Sequence, residues 1–412
     1  MSSALAVPYD YGAAFPLEMA TAAAGLCRLV FVCDEAVPHV VECLPLLATI
    51  GTVVSSRGPV TEVAGKLEAE GVDGIVTFAD HLQPLTARLA AILGLPYHSP
   101  AVAELLVNKF RQRTRLRTAG MPTPRFAAIA RGDDVTEAVS RVSLPAVLKP
   151  LRDGAGSRNT GLVRQPHEAA AMAARFFGAG ERDLIIEELL AGDPSVAGRE
   201  FGDYVSVESV TIDGQVEHIG ISGKLPLEEP FRECGEFFPS NIDPAVAEAA
   251  RSVTGRALRA LGVRLGLSHT ELKLTSTGPK IIEVNGRLGG GVHDMVLRSS
   301  GANIIRSAMA LALGELSQVT TGVTAERIAY LIFIQPPMWA RRVVRLPDAT
   351  TVRAVPGVVR VGFLRKEGDA IAWESGTAGM TAVVHGSAPG YGELHSACAR
   401  VWQAFQHSYA AT

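Results

Sequence analysis

The chain has 412 residues, of which 47% are hydrophobic and 20% are charged, and its formal net charge is −3. This length predicts two or three domains, and the apolar content excludes a disordered chain. Nucleic-acid binding depends on many cations that neutralise phosphates, so the charge balance argues against a nucleic-acid partner. No apolar run reaches the roughly 18–20 residues of a membrane helix, and the N-terminus lacks signal-peptide features. We therefore expect a cytoplasmic protein with no membrane partner.

Strands and helices alternate over the first hundred residues. The predicted strands are Arg28–Asp34, Gly51–Ser56 and Gly74–Phe78, and the predicted helices are Val40–Leu47, Val60–Glu70 and Pro84–Leu93. This alternation is typical of βαβ units with a parallel sheet. No GxGxxG motif follows the first strand, so a dinucleotide site is not indicated. Residues 1–101 are therefore predicted to form an N-terminal α/β domain.

The region from residue 102 to residue 323 mixes helices with antiparallel hairpins, and residues 324–412 read as a small α+β domain. One continuous helix is predicted over Val102–Ala119. The other predicted elements are the strands Pro145–Pro150, Leu184–Glu188, Tyr204–Ile212, Val216–Ser222, Ser268–Leu274 and Lys280–Val284, and the helices Pro166–Phe177, Pro244–Leu261 and Gly392–Phe405.

Three oxygen-bearing side chains fall on one predicted hairpin. Glu283 and Asn285 are two residues apart and so point to the same face of a strand, and Glu271 lies on the neighbouring strand. Two carboxylates and an amide oxygen suit a hard cation such as Mg²⁺, which commonly shares phosphate oxygens with a substrate. The alternative is a pair of cross-strand acids facing solvent. The apolar strands around them favour the metal site, because an unpaired buried charge is costly.

Basic residues beside glycines indicate an anion site. Lys149 ends a predicted strand, just before the turn Asp153-Gly-Ala-Gly-Ser157, and Lys109 lies 40 residues earlier. A lysine next to a flexible glycine loop can hold phosphate, although a plain strand end followed by a turn remains the alternative. Arg287 precedes Gly289-Gly290-Gly291, whose backbone N–H groups could converge on an anion. The four arginines at positions 111, 113, 115 and 117 are predicted to form a solvated helix face.

In this order the motifs resemble the ATP-grasp superfamily over about residues 100–315. The resemblance rests on the two lysines, the glycine-rich loop, the strand-end Glu187-Glu188-Leu189-Leu190, and Glu271 followed by Glu283-x-Asn285-x-Arg287. It implies an ATP-grasp fold at residues 102–323, with a small lobe at about 123–190 and a large lobe at about 191–323. The preceding domain would be Rossmann-like, and the last domain would be residues 324–412.

The resemblance also implies roles for individual residues. Lys109, Lys149, Gly154, Gly156 and Ser157 would hold the phosphates of ATP, with the loop acting as a lid. Glu187, Glu188, Leu189 and Leu190 would line the adenine pocket. Glu271, Glu283 and Asn285 would hold Mg²⁺, or Mn²⁺ as the alternative metal. The catalytic set would be Arg287, Lys149 and Glu283, with Arg287 neutralising an acyl phosphate.

A narrower resemblance to the L-amino acid ligases rests on Ile221-Ser-Gly-Lys-Leu225, Arg232-Glu-Cys-Gly-Glu236 and His269-Thr-Glu-Leu-Lys273. It implies a carboxylate–amine ligase that joins amino acids through an acyl phosphate, in a biosynthetic pathway such as that of a peptide-like natural product. The implied substrate contacts are Asp80, Lys224, Glu233, Glu236, His269, Arg287, Gly290 and Gly291. Glu236 departs from the histidine that some of these ligases have, and Tyr204 stands where an acid is expected for ribose.

Two other functions stay open at this level. One is a different ATP-grasp enzyme that uses bicarbonate or makes a purine precursor, and the other is a non-catalytic nucleotide-binding protein. A homodimer is the default oligomer.

Overall fold

The computed structural model describes residues 3–152 and 155–411. Its first part is a parallel sheet of four strands in the order β3-β2-β1-β4. The strands are β1 (Ala4–Tyr9), β2 (Arg28–Cys33), β3 (Thr52–Ser55) and β4 (Gly74–Ile75), and the helices are α1 (Pro16–Ala23), α2 (Pro38–Ile50), α3 (Val60–Ala69) and α4 (Gln83–Leu93). The prediction of βαβ units is confirmed. It missed the buried strand β1 and helix α1, because the short apolar run that forms β1 contains Pro8 and shows no alternation.

The continuous helix predicted over Val102–Ala119 is wrong, because the structure has α5 (Pro100–Val107) and α6 (Lys109–Thr118). Asn108 breaks the helix with an extended backbone, φ −116° and ψ 102°. Its side chain then caps α6 by accepting a hydrogen bond from the Arg111 N–H at 3.0 Å. Asparagine is a favourable N-cap because its oxygen pairs with an otherwise unpartnered helix N–H. The break places Lys109 at the first position of α6.

A second sheet of four antiparallel strands follows, in the order β5-β8-β6-β7. Its elements are β5 (Phe126–Ala130), α7 (Val135–Ser140), β6 (Ala146–Pro150), β7 (Gly161–Val163), α8 (Pro166–Gly178) and β8 (Asp183–Glu188). Strands β5, β7 and helix α7 were not predicted, since these short segments carry no distinctive pattern. We call this sheet with its two helices the small lobe.

The next elements build most of a third sheet and the helices on its two faces. They are α9 (Pro194–Ala197), β9 (Tyr204–Ile212), β10 (Gln215–Lys224), β11 (Gly235–Phe238), α10 (Pro244–Leu261), β12 (Gly266–Thr275), β13 (Gly278–Asn285), α11 (Val292–Ser300) and α12 (Ile304–Ala312). The predicted bounds of β9 and α10 are confirmed. Asp213 and Gly214 both have positive φ at the β9–β10 turn, and β12 and β13 form the expected hairpin.

The C-terminal segment contributes strands to the same sheet. Its elements are β14 (Ile328–Ile334), β15 (Arg342–Val343), α13 (Ala349–Arg353), β16 (Val358–Phe363), β17 (Ala382–Ala388), α14 (Tyr391–Ala404) and β18 (Tyr409–Ala410). The resulting eight-stranded sheet has the order β13-β12-β9-β10-β11-β14-β17-β16, and β15 pairs with β18. The three-part domain division remains a prediction, and the sheet crosses its boundary at residue 324.

The eight-stranded sheet separates two hydrophobic cores. One face packs against α10 and α14 through residues such as Leu258 and Val401. The other face packs against α11, α12 and the N-terminal sheet through residues such as Met295 and Leu5. This second core brings the carboxyl end of β4 close to the end of β13, so that two parts of the chain meet at one site. No helix among the described residues is long and apolar enough to cross a membrane.

Candidate active site

The hairpin of β12 and β13 places the three predicted metal ligands together. Glu271 lies directly opposite Glu283, and His269 lies opposite Asn285. The side chains of Glu271 and Glu283 are 25% and 20% exposed, so neither acid stands on an open solvent face. Their donors are carboxylate and amide oxygens, which fit Mg²⁺ or Mn²⁺ rather than a soft metal.

Lys109 lies against this pair of acids. Its ammonium is 2.9 Å from Glu283 Oε1, and its side chain is 9% exposed. Burial opposes the charged form of Lys109, but the carboxylate of Glu283 outweighs burial and raises the pKa of the lysine. The lysine therefore stays charged beside the proposed metal ligands. The helix break at Asn108 is what places it there.

Lys149 belongs to a second buried ion cluster, at the end of β6. Its ammonium is 2.7 Å from Glu187 Oε2, and Arg113 Nε is 2.8 Å from Glu187 Oε1. Burial would raise the pKa of Glu187, yet Arg113 and Lys149 lower it to about 2. Glu187 therefore holds two cations in place. Glu188, Leu189 and Leu190 follow as a half-buried segment.

The prediction that Arg113 belongs to a solvated face is wrong. Its side chain is 1% exposed, and it also donates a hydrogen bond to the carbonyl of Ile282 on the edge strand β13. Alternate positions of a helix point to different faces, so the four arginines of α6 cannot all lie on one exposed face. Gln112 clamps the same edge by pairing with the backbone of Val284 at 2.8 Å and 3.0 Å.

Arg287 meets the N-terminal domain at Asp80. The Arg287 Nε donates to Asp80 Oδ2 at 2.6 Å, and the other oxygen of Asp80 accepts from Gln83 Nε2 at 3.0 Å. Burial opposes the charge of Arg287, but Asp80 outweighs it and raises the pKa of the arginine. The sequence predicted Asp80 as a substrate contact. In the structure both of its oxygens are engaged by protein groups, and the fully buried Gln83 was not foreseen.

An acidic cluster surrounds Lys224 at the end of β10. The Lys224 ammonium is 2.7 Å from Glu236 Oε2 and 3.6 Å from Glu233 Oε1. Glu236 is 2% exposed, and burial raises its pKa. Its other oxygen, Oε1, has no hydrogen-bond partner among the described residues. A buried oxygen without a partner is costly, so it marks a place where a ligand donor would be stabilised.

His269 joins this cluster to the hairpin of β12 and β13. Its Nδ1 is 2.7 Å from Glu208 Oε1, and its Nε2 is 3.4 Å from Glu271 Oε1. Burial opposes the charged imidazole, but Glu208 outweighs burial and raises the pKa of His269 to about 9. Burial likewise raises the pKa of Glu271, whereas His269 lowers it to about 2. Glu208 was missed, although a single glutamate inside the apolar strand Tyr204–Ile212 was a visible signal.

The glycines after Arg287 line the same space. A Cβ on Gly291 would come within 2.9 Å of Glu236 Oε1, whereas one on Gly290 would meet no atom within 4 Å. Gly291 has φ +78° and immediately precedes α11. The helix therefore begins beside the acidic cluster, with Gly290 facing open space.

The predicted phosphate loop is described in part. Gly156 and Ser157 have positive φ values of 61° and 59°, and both are half-buried. Gly154, predicted to contact phosphate, and Asp153 lie outside the described residues. Asp203 was not predicted: it pairs with Lys273 at 2.5 Å, next to Tyr204, where an acid had been expected.

Comparison with known proteins finds a family model that matches part of the chain. Residues 106–291 match the family model described as an ATP-grasp domain. The fold resembles the crystal structure of an L-amino acid ligase from Bacillus licheniformis, with a TM-score of 0.76, 22% identity and 97% coverage of both chains. The chain thus has the fold of the ATP-grasp enzymes, and residues 106–291 are its ATP-grasp domain.

Several curated proteins match part of the chain. Human carnosine synthase 1 is 30% identical over 59% of this chain and 31% of its own length. A D-alanine–D-alanine ligase from Aromatoleum aromaticum is 25% identical over 55% of this chain and 72% of its own length. The chain spans 49% or less of the length of the first four curated relatives. The curated relatives of this chain therefore include a ligase that joins amino acids.

Proposed function

We propose that the protein is an ATP-dependent carboxylate–amine ligase that joins an amino acid to a second amino acid or amine, with release of ADP and phosphate. The observation that carries the proposal is the 2.9 Å ion pair between Lys109 and Glu283. This pair joins a lysine suited to binding phosphate to a carboxylate suited to binding a metal ion, within an ATP-grasp domain. Lys149 and Arg287 then supply the other positive charges.

The residues present fit a divalent cation. No group of three or more His, Cys, Asp or Glu side chains suited to a metal occurs within residues 3–152 and 155–411. Mg²⁺ needs fewer protein acids than that, because it binds through one or two carboxylates together with substrate phosphates and water. Glu271, Glu283 and Asn285 would hold it, with Mn²⁺ as the alternative. The ion supplies positive charge to the phosphate oxygens when it is bound.

In the proposed first step, a carboxylate oxygen of one substrate attacks the γ-phosphorus of ATP. The new bond joins carboxylate oxygen to phosphorus, and the bond between phosphorus and the β,γ-bridging oxygen breaks to release ADP. Catalysis of such a transfer is mainly positioning and charge stabilisation. Lys149 is held by Glu187 and Arg287 by Asp80, so both cations are oriented before substrate arrives.

In the second step, an amine attacks the acyl carbon, phosphate leaves, and the nitrogen loses a proton. The site must exclude water, because water would hydrolyse the acyl phosphate. Glu233 and Glu236 support binding of an amino group, since both are carboxylates and Glu236 Oε1 lacks a partner among the described residues. Lys224 between them limits the repulsion of the two acids.

The test is a matrix of amino acids and small carboxylic acids, taken in pairs with Mg-ATP. We expect ADP, phosphate and an amide product in equal amounts, only when both substrates are present. A carboxylate substrate labelled with a heavy oxygen isotope should transfer one labelled oxygen to the phosphate. ADP formation that depends on bicarbonate and ignores amino acids would contradict the proposal, as would nucleotide binding without ADP under every pair.

A further inference from the structure

A short 3-10 helix of the C-terminal segment, Trp373–Gly379, contacts the small lobe on one side. We call it the bridge segment. The carbonyl of Glu374 accepts a hydrogen bond from the Asn159 N–H at 3.2 Å. The Trp373 ring lies 4.7 Å beneath the guanidinium of Arg175 on α8. The bridge segment is therefore attached to the turn that carries Gly156 and Ser157.

Gly376 makes this contact close. Its φ of +64° favours glycine, and a Cβ here would overlap the carbonyl oxygen of Gly156 and the amide nitrogen of Arg158. Two backbones thus touch directly, without intervening side chains. Any displacement of the bridge segment would have to displace the turn at Gly156.

The other side of the bridge segment contacts Glu233, the acid proposed to face the substrate amino group. Thr377 Oγ1 accepts the Glu233 N–H at 3.0 Å. Gln335 Nε2 donates to the carbonyls of both Thr377, at 3.2 Å, and Glu233, at 2.8 Å. Thr377 is 6% exposed, so water has little access to replace these bonds. The carboxylate of Glu233 points to Lys224, 3.6 Å away.

We propose that Thr377 is a positioning residue that sets Glu233 relative to the nucleotide turn, and so matches the amino group of the substrate to ATP. Thr377 itself touches neither substrate. It acts through the backbone of Glu233 on one side and through the contact of Gly376 with Gly156 on the other. This inference rests on the proposed ligase function, in which Glu233 faces the amino group of one substrate.

Thr377→Val keeps the volume of the side chain and removes the acceptor of the Glu233 N–H. Because an unpaired buried N–H is costly, the KM for one of the two amino acids should rise about 10-fold, while kcat stays within about twofold. Thr377→Ser retains the hydroxyl and should restore the wild-type KM. Thr254→Val is the matched control, since Thr254 is a fully buried threonine on α10, in the first of the two cores.

Amide hydrogen exchange tests the coupling across the bridge segment without a catalytic assay. In the full chain, Thr377→Val should speed exchange at both Glu233 and Asn159, because both amides donate to the bridge segment. Thr254→Val should change neither amide. Faster exchange at Glu233 alone would overturn the coupling between the two sides.

The outcomes separate this inference from the proposed function. A wild-type chain that forms no ADP with any substrate pair contradicts the ligase proposal. The exchange measurement then tests on its own whether the bridge segment couples Glu233 to Asn159. An active wild type with equal KM values for Thr377→Val and Thr254→Val overturns the role of Thr377. A KM shift that Thr377→Ser does not restore also overturns it, because volume rather than the hydroxyl would then be responsible.

Discussion

The two halves of the candidate site carry opposite charge. On the proposed nucleotide side, Lys109, Lys149 and Arg113 face two acids, Glu187 and Glu283. On the proposed substrate side, Lys224 and His269 face a larger set of acids: Glu208, Glu233, Glu236 and Glu271. Excess positive charge suits a polyphosphate, and excess negative charge suits an amino group. The difference supports the proposal that one buried region binds two oppositely charged partners.

Within each half, each of these charged side chains has an oppositely charged partner before any ligand binds. A buried ion without a partner would cost several kcal/mol, roughly, so the acids that hold the lysines also keep the fold stable. The cations are thereby oriented in advance, which is what charge stabilisation of a transfer step requires. The following variants break the two halves separately.

The largest effect is expected for Glu283→Ala. It removes a proposed metal ligand and leaves Lys109 unpaired, so ADP formation should fall below detection while circular dichroism stays unchanged. Glu217→Ala is the matched control, because Glu217 is an exposed strand glutamate on β10. ADP formation by Glu283→Ala at a rate close to that of the wild type would remove Glu283 from the metal site.

Arg287→Ala should lower kcat by about 10²–10³-fold, by analogy with the loss of one transition-state donor. The measurement is steady-state ADP release at saturating ATP. A rise in KM alone, with kcat unchanged, would show that Arg287 binds the ground state instead.

Asp80→Asn tests whether Asp80 orients Arg287 or contacts the substrate directly. If Asp80 serves to orient Arg287, this variant should lower kcat by less than Arg287→Ala and leave the KM for the amine unaltered. A raised amine KM at constant kcat would instead support the direct substrate contact predicted from the sequence.

Arg113→Met should destabilise the fold by about 3 kcal/mol, because it removes one of two partners from the buried carboxylate of Glu187. Urea unfolding of the purified chain measures this change. Arg111→Met serves as the control, since its side chain is 59% exposed and surface ion pairs contribute about 0–1 kcal/mol. Equal effects of the two variants would contradict the burial of Arg113.

The smallest effect is expected for Glu236→Gln, which keeps the shape of the side chain and removes its charge. The KM for one amino-acid substrate should rise about tenfold, with the KM for ATP unchanged, because the loss of one charged hydrogen bond costs about 1.4 kcal/mol. Glu228→Gln is the control, as Glu228 is 45% exposed in the loop that precedes β11. A change in the ATP KM would show that the two halves are not independent.

The two halves also differ in how far the sequence revealed them. The spacing of Glu283 and Asn285 predicted that they share a face, since strand periodicity is local. The hairpin pairing of Glu271 with Glu283 followed from the turn between β12 and β13. Arg113 and Glu208 could not be placed in this way. Their partners lie 74 residues or more away for Arg113 and 61 residues away for Glu208, so only tertiary packing brings them together.

The secondary structure was likewise predicted in part and missed in part. Long, periodic elements such as α10 and β9 were predicted closely, whereas β1 and β5 were missed because short apolar runs carry no period. The helix break at Asn108 was also missed. Asparagine is tolerated inside a helix, and its role as a cap depends on local backbone geometry that the residue type alone does not determine.

The continuity of the eight-stranded sheet limits how this chain can be engineered. Strand β14 pairs with β11 on one side and β17 on the other, so a cut before residue 328 would strip the sheet of an inner strand. The uncovered β11 would offer unpaired N–H and C=O groups, which invite aggregation. Chimaeras with related proteins should therefore keep the C-terminal segment with its own sheet and exchange loops instead.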